Sequence, residues 1–67
     1  MTEVVLNGTP AQLPEPATVD LAVAAVSRSD RGCAVAVNDE VVPRADWPRR
    51  QLNEGDRVEV LTAVQGG

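Results

Sequence analysis

The chain contains no histidine and no lysine, all six of its positive residues are arginines, and Cys33 is its only cysteine. Each absence removes a class of chemistry. Without histidine there is no side chain whose ordinary pKa suits general acid–base work near neutral pH. One thiol supplies no disulfide, no tetrahedral zinc site and no iron–sulfur ligand set. No apolar run nears the roughly 18 residues that a membrane span needs. The N-terminus lacks the basic, then apolar, pattern of a secretory signal, so the sequence reads as cytoplasmic with no membrane part. Phe and Tyr are missing and Trp47 is the only aromatic, which leaves small aliphatics to fill a core. With a net charge of −4 and a pI near 4.5, the long-range field repels phosphate backbones and argues against nucleic-acid binding. An enzyme of the usual kinds is therefore not expected.

What is present suits one small folded unit. At 67 residues and 43% apolar content, the chain buries only about 60% of its unfolded surface and has material for a single core. Glu3 to Asn7 alternates as a first strand, with Val4 and Leu6 on one face and Val5 on the other. Asn7-Gly8 is a hairpin turn signal, because both residues tolerate positive φ. The return strand is expected over Thr9 to Leu13. After Pro14 and Pro16, Thr18 stands where a hydroxyl caps a helix, Asp20 favours its first turn, and the helix is expected over Val19 to Ser27. Val19, Ala22, Val23 and Val26 form its apolar stripe.

Cys33 to Val37 is the next strand, with Val35 and Val37 inward and Ala34 and Ala36 outward. Asn38-Asp39 turns the chain into a short strand at Val41 and Val42, ended by Pro43. Arg44 to Leu52 reads as irregular, centred on Trp47-Pro48. The turn cluster Asn53-Glu54-Gly55-Asp56 then leads into a last strand over Arg57 to Val64, with Val58 and Val60 inward and Glu59, Leu61 and Ala63 outward. This order predicts an α+β fold of β-grasp type: a mixed sheet of four to five strands, one helix on one face, and the first and last strands parallel at the centre. Residues 1–64 form the expected domain and 65–67 a flexible tail.

That tail ends in Gly66-Gly67. Two glycines carry no side chain and thread a channel too narrow for other residues, which exposes the Gly67 carboxylate to a partner enzyme. The competing reading is an untethered chain end. A sheet with one helix also leaves its second face uncovered, so Val5, Ala36, Leu61 and Ala63 are either a partner-binding patch or scattered surface aliphatics.

Taken together, several stretches resemble the ThiS-type sulfur carriers of thiamine biosynthesis, within the ubiquitin-like family. They are Asn7-Gly8, Thr18-Val19, Ala36-Val37-Asn38, Val42-Pro43-Arg44, Trp47, Leu52, Gly55-Asp56, Val58-Glu59-Val60 and Val64-Gln65-Gly66-Gly67. The resemblance covers nearly the whole chain. Ala22 stands where Leu would be usual, a departure that touches packing rather than chemistry. The resemblance implies a protein co-substrate with no bound cofactor. A ThiF-type adenylating enzyme would use ATP and Mg²⁺ to activate Gly67, with Gln65, Gly66 and Gly67 threading its active site. Sulfur drawn from a cysteine desulfurase would give a thiocarboxylate for a ThiG-type thiazole synthase. The small subunit of molybdopterin synthase shares the fold and the diglycine end. Here Leu61 to Gln65 lacks the proline-rich approach usual in that branch. A covalent protein modifier, and a non-covalent module with incidental glycines, are further alternatives.

Three other features have plainer readings. Cys33 could hold a persulfide, although a free cysteine most often acts as a small buried hydrophobe. Trp47 is a partner anchor or a pin for the irregular segment. Arg44, Arg49 and Arg50 face an acidic partner or are simply solvated.

Overall fold

Two asparagine-led turns set the layout. Asn7 and Gly8 take φ of 51° and 82°, and Asn38 and Asp39 take 50° and 71°, the left-handed pairs of tight hairpin turns whose twist matches the flanking strands. In a computed structural model that describes residues 1–27 and 32–62, they join β1 (Thr2–Leu6) to β2 (Thr9–Leu13) and β3 (Ala34–Val37) to β4 (Glu40–Val42). A helix α1 (Val19–Val26) lies between the hairpins, and a short 3-10 turn (Arg44–Asp46) precedes β5 (Arg57–Leu61). The sheet order is β2-β1-β5-β3-β4. β5 sits centrally, parallel to β1 through Val5–Arg57 and Leu6–Val58, and antiparallel to β3 from Val37–Val58 to Ala34–Leu61. The mixed sheet with one helix is the expected β-grasp arrangement.

Alternation along the strands turns Val4, Leu6, Leu13, Val35, Val37, Val42, Val58 and Val60 to one face, where α1 covers them. The largest of the fully buried side chains are all valines: Val4, Val19, Val35, Val37 and Val58. Trp47 joins them at 3% exposure. Small aliphatics and one indole thus make the core, as the composition requires. Proline marks both edges: Pro10 in β2 has no N–H to offer an incoming strand, and Pro43 ends β4.

Three expectations are corrected. The Thr18 hydroxyl does not cap α1; it bonds the Asp20 carboxylate instead. The helix's first donors are taken from far along the chain, Val19 N–H by the Arg50 carbonyl at 3.0 Å and Asp20 N–H by the Trp47 carbonyl at 3.4 Å. The segment after β4 therefore serves as the cap. Val26 is 43% exposed, because an eight-residue helix offers two turns to the sheet and the third repeat of the apolar stripe falls past them. β5 stops at Leu61 rather than Val64: Leu61 pairs with Ala34, the first residue of β3, so the ladder has no further partner strand. Ala63 and Val64, and residues 28–31, lie outside the described residues.

Candidate functional site

The face opposite α1 carries the candidate site. Along β5 the outward residues are Arg57, Glu59 and Leu61, and Leu61 is 69% exposed. Leu61 faces Ala34 across the β3–β5 ladder. One step along, Ala36 lies between Glu59 on β5 and Val41 on β4. Val41 is 73% exposed, so Leu61, Ala34, Ala36 and Val41 form a contiguous apolar surface over β5, β3 and β4. Exposed aliphatics on neighbouring strands of an uncovered face are what a docking surface requires.

The expected patch residues divide. Ala36 and Leu61 come together on adjacent strands. Val5, half-buried, lies on β1 beside Arg57, and the charged pair Arg57 and Glu59 separates it from the other two. Ala63 lies outside the described residues, as do Gln65, Gly66 and Gly67. Sequence reading passed over Ala34 and Val41 as patch residues. The signal for Val41 was available: with Val42 inward, its neighbour in a three-residue strand must point out.

Charge on this face is locally balanced. Arg57 Nη2 meets Asp39 Oδ2 at 2.9 Å, and this bond, with the Asp39 charge, raises the guanidinium's pKa further above its already high ordinary value. Glu59 lies between Arg57 and Leu61 on the same strand.

Where β5 leaves the sheet, one side chain holds the backbone. Asn7 Oδ1 accepts from Val60 N–H at 2.8 Å, and Asn7 Nδ2 donates to the Val60 carbonyl at 3.3 Å. Asn38 acts likewise at the other end, its Oδ1 accepting from Arg57 N–H at 3.0 Å while its own N–H donates to the Arg57 carbonyl at 2.8 Å. The central strand is thus bracketed by the two turn asparagines.

The remaining candidates take structural places. Trp47 is buried and donates to the Val42 carbonyl at 3.0 Å, which makes it the pin of the irregular segment. Arg49 pairs with Asp46 at 3.3 Å, Arg50 bonds the Gln51 carbonyl, and Arg44 lies 6.0 Å over the Trp47 ring. Cys33 is half-buried against the core, with Ser27 Oγ at 3.9 Å from its sulfur. A shallow depression lined by Thr2, Glu15, Pro16, Ala17, Gln51 and Leu52 lies at the end of the sheet away from Leu61. Among the described residues no His, Cys, Asp and Glu side chains cluster so as to hold a metal ion, and no helix is long and apolar enough to cross a membrane.

Comparison with known proteins agrees with this architecture. The model of the ThiS family matches residues 4–67. The chain is 33% identical over 36 residues to the sulfur carrier protein ThiS of Escherichia coli strain K12, a stretch of 54% of each protein, so it spans about half the length of that curated relative. The crystal structure of the thiamine biosynthesis protein ThiS from Geobacter metallireducens superimposes with a TM-score of 0.74 at 26% identity, over 98% of this chain and 100% of that one.

Proposed function

The chain belongs to the ThiS family of small sulfur carriers, and from that premise we propose that its Gly67 carboxylate is adenylated, converted to a thiocarboxylate and used as the sulfur donor for thiazole formation in thiamine biosynthesis. The observation that carries the reading is the family match, which runs from residue 4 through both terminal glycines.

The chemistry assigns the protein the part of co-substrate. A free carboxylate is a poor acyl donor, since attack must expel oxide from a resonance-stabilised anion. An adenylating partner removes that obstacle. The Gly67 carboxylate oxygen attacks the α-phosphorus of ATP, pyrophosphate leaves, and Mg²⁺ on the partner balances the phosphate charge. A persulfide sulfur, supplied through a cysteine desulfurase, then attacks the acyl carbon and AMP departs. A thiol of the partner resolves the acyl disulfide, leaving the thiocarboxylate here and a disulfide there. Thiazole synthase consumes the thiocarboxylate. In this account the chain contributes a docking face, built from Ala34, Ala36, Leu61 and Val41, and a narrow Gln65-Gly66-Gly67 reach, with catalytic groups on the partners.

Mass analysis of the intact protein after incubation with ATP, Mg²⁺, the ThiF-type enzyme and a persulfide donor tests the reading. Replacement of one terminal oxygen by sulfur is the expected result, and an unchanged mass overturns it. Supplying the product separately to thiazole synthase and to the large subunit of molybdopterin synthase distinguishes the two sulfur-carrier branches.

A further inference from the structure

In a parallel ladder each residue facing the neighbour donates its N–H to one carbonyl and accepts from an N–H two residues on. β1 follows this rule up to the turn: Val5 N–H donates to the Asp56 carbonyl and Asn7 N–H to the Val58 carbonyl, each at 2.9 Å. The next rung needs an acceptor for Val60 N–H and a donor for the Val60 carbonyl. The backbone of β1 cannot provide either, because at φ 51° Asn7 has already swung into the turn. Its carboxamide provides both, with Oδ1 at 2.8 Å from Val60 N and Nδ2 at 3.3 Å from Val60 O. No other residue type fits as well: asparagine tolerates the left-handed conformation and carries a donor and an acceptor side by side.

Only Leu61 and Thr62 separate this rung from the last five residues, and residues 62–67 span at most roughly 20 Å. The place and direction of β5 at Val60 and Leu61, where its described pairing ends, therefore bound the volume within that reach. Without the carboxamide, both backbone groups of Val60 would lose their partner, and this end of β5 would be held from the β3 side alone, through its neighbours, with Leu61 opposite Ala34. We infer that Asn7 is a positioning residue for the carboxyl terminus: its side chain completes the β1–β5 ladder at Val60 and so fixes the point from which the tail reaches into the adenylating partner. The functional half of this statement rests on the proposed activation of Gly67; the anchoring half stands on the hydrogen bonds alone.

The test compares N7G with N38G. Glycine accepts the positive φ at either turn, and each variant deletes one carboxamide rung on β5. Amide exchange and ¹⁵N relaxation report anchoring: in N7G, Val60 should exchange faster, with Leu61 and Thr62 losing order, whereas in N38G the loosened amide is Arg57. Adenylation of Gly67, followed as pyrophosphate release at a temperature where both variants are fully folded, reports positioning. The expected kcat/KM of N7G falls about fivefold to tenfold, the scale of one or two net hydrogen bonds, while N38G matches the wild type. Equal losses in the two variants would reduce Asn7 to a structural residue and overturn the inference. So would Leu61 and Thr62 as ordered in N7G as in the wild type, whatever the kinetics. If the wild-type protein itself yields no adenylate, the proposed function fails, and the relaxation measurement decides the anchoring by itself.

Discussion

The indole N–H of Trp47 donates to the main-chain carbonyl of Val42 at 3.0 Å, and both residues are buried. This bond closes the end of β4 onto the 3-10 turn, and the Trp47 carbonyl in turn accepts from Asp20 N–H at the start of α1. One residue thus ties the edge strand to the helix cap. Trp47→Phe keeps part of the volume and removes the indole's bond to the Val42 carbonyl, which stays in the β3–β4 ladder opposite Val35, a loss of about 0.5–1.5 kcal/mol. Trp47→Ala adds a cavity and should cost about 3–5 kcal/mol. Since no other aromatic is present, chemical denaturation of both variants is best followed by circular dichroism. A loss below about 0.5 kcal/mol for Trp47→Ala would contradict the pinning role.

Much of the fold is legible because its signals are local. Asn7-Gly8 and Asn38-Asp39 announce hairpins through backbone tolerance, and the apolar alternation assigns the faces of β1, β3 and β5. The misreadings concern groups whose partners are distant in sequence. Thr18 looks like a cap, yet Arg50 and Trp47 provide the acceptors for the helix's first N–H groups, and nothing around Thr18 forecasts that. Val26 keeps the helical period but lies beyond the two turns that the sheet covers. Asn7 is recognisable as a turn residue. Its bond to Val60 spans 53 positions and becomes visible only when β1 and β5 are neighbours. On the candidate site, alternation gives the facing of Ala36 and Leu61, whereas the break between them and Val5 depends on register, which places Arg57 and Glu59 between.

Leu61→Asp and Val41→Asp place a charge on the uncovered face without touching the core, since the two side chains are 69% and 73% exposed. Denaturation midpoints should stay near that of the wild type. If this face docks the adenylating enzyme, each variant loses roughly tenfold in kcat/KM for adenylation, as buried interface positions do when a charge replaces an apolar contact. Val26→Gln alters an exposed valine on α1, away from that face, and should leave the rate unchanged. Wild-type kinetics for Leu61→Asp would remove the patch from the docking account.

Arg57 should contribute no pH dependence to stability near neutrality. Its hydrogen bond to Asp39, aided by that carboxylate's charge, raises the guanidinium's pKa in the folded state. A raised folded pKa gives stability that is complete below the unfolded value and lost only as pH rises through the folded one. Both values lie far above neutral. Arg57→Gln should therefore shift the denaturation midpoint by a constant amount between about pH 6 and 9, and the shift should shrink in high salt because the pair is exposed. A shift that varied across that range would assign the pH response to another group.

Gly67 should be dispensable for folding and indispensable for function. The core is closed by Val58 and Val60, and every described hydrogen bond of β5 lies at or before Leu61, so the described core and ladder are complete without Gly67. The proposed reaction, by contrast, requires that one carboxylate, on a backbone slim enough to reach the α-phosphorus of ATP. Deleting Gly67 moves the carboxylate back by about 3.5 Å, and displacements of even 1 Å can cost about 100-fold in a positioned reaction. Gly66→Ala instead adds a Cβ within the threading segment. Both variants, and a chain extended by one residue, should match the wild type in thermal unfolding while forming thiocarboxylate at less than about 1% of its rate. Full thiazole formation by the deletion variant would favour a non-covalent module. Isopeptide-linked adducts that depend on Gly67 would favour a covalent modifier. Loss of both product and adducts, with the fold intact, would leave the rest of the chain as the holder of its last residue.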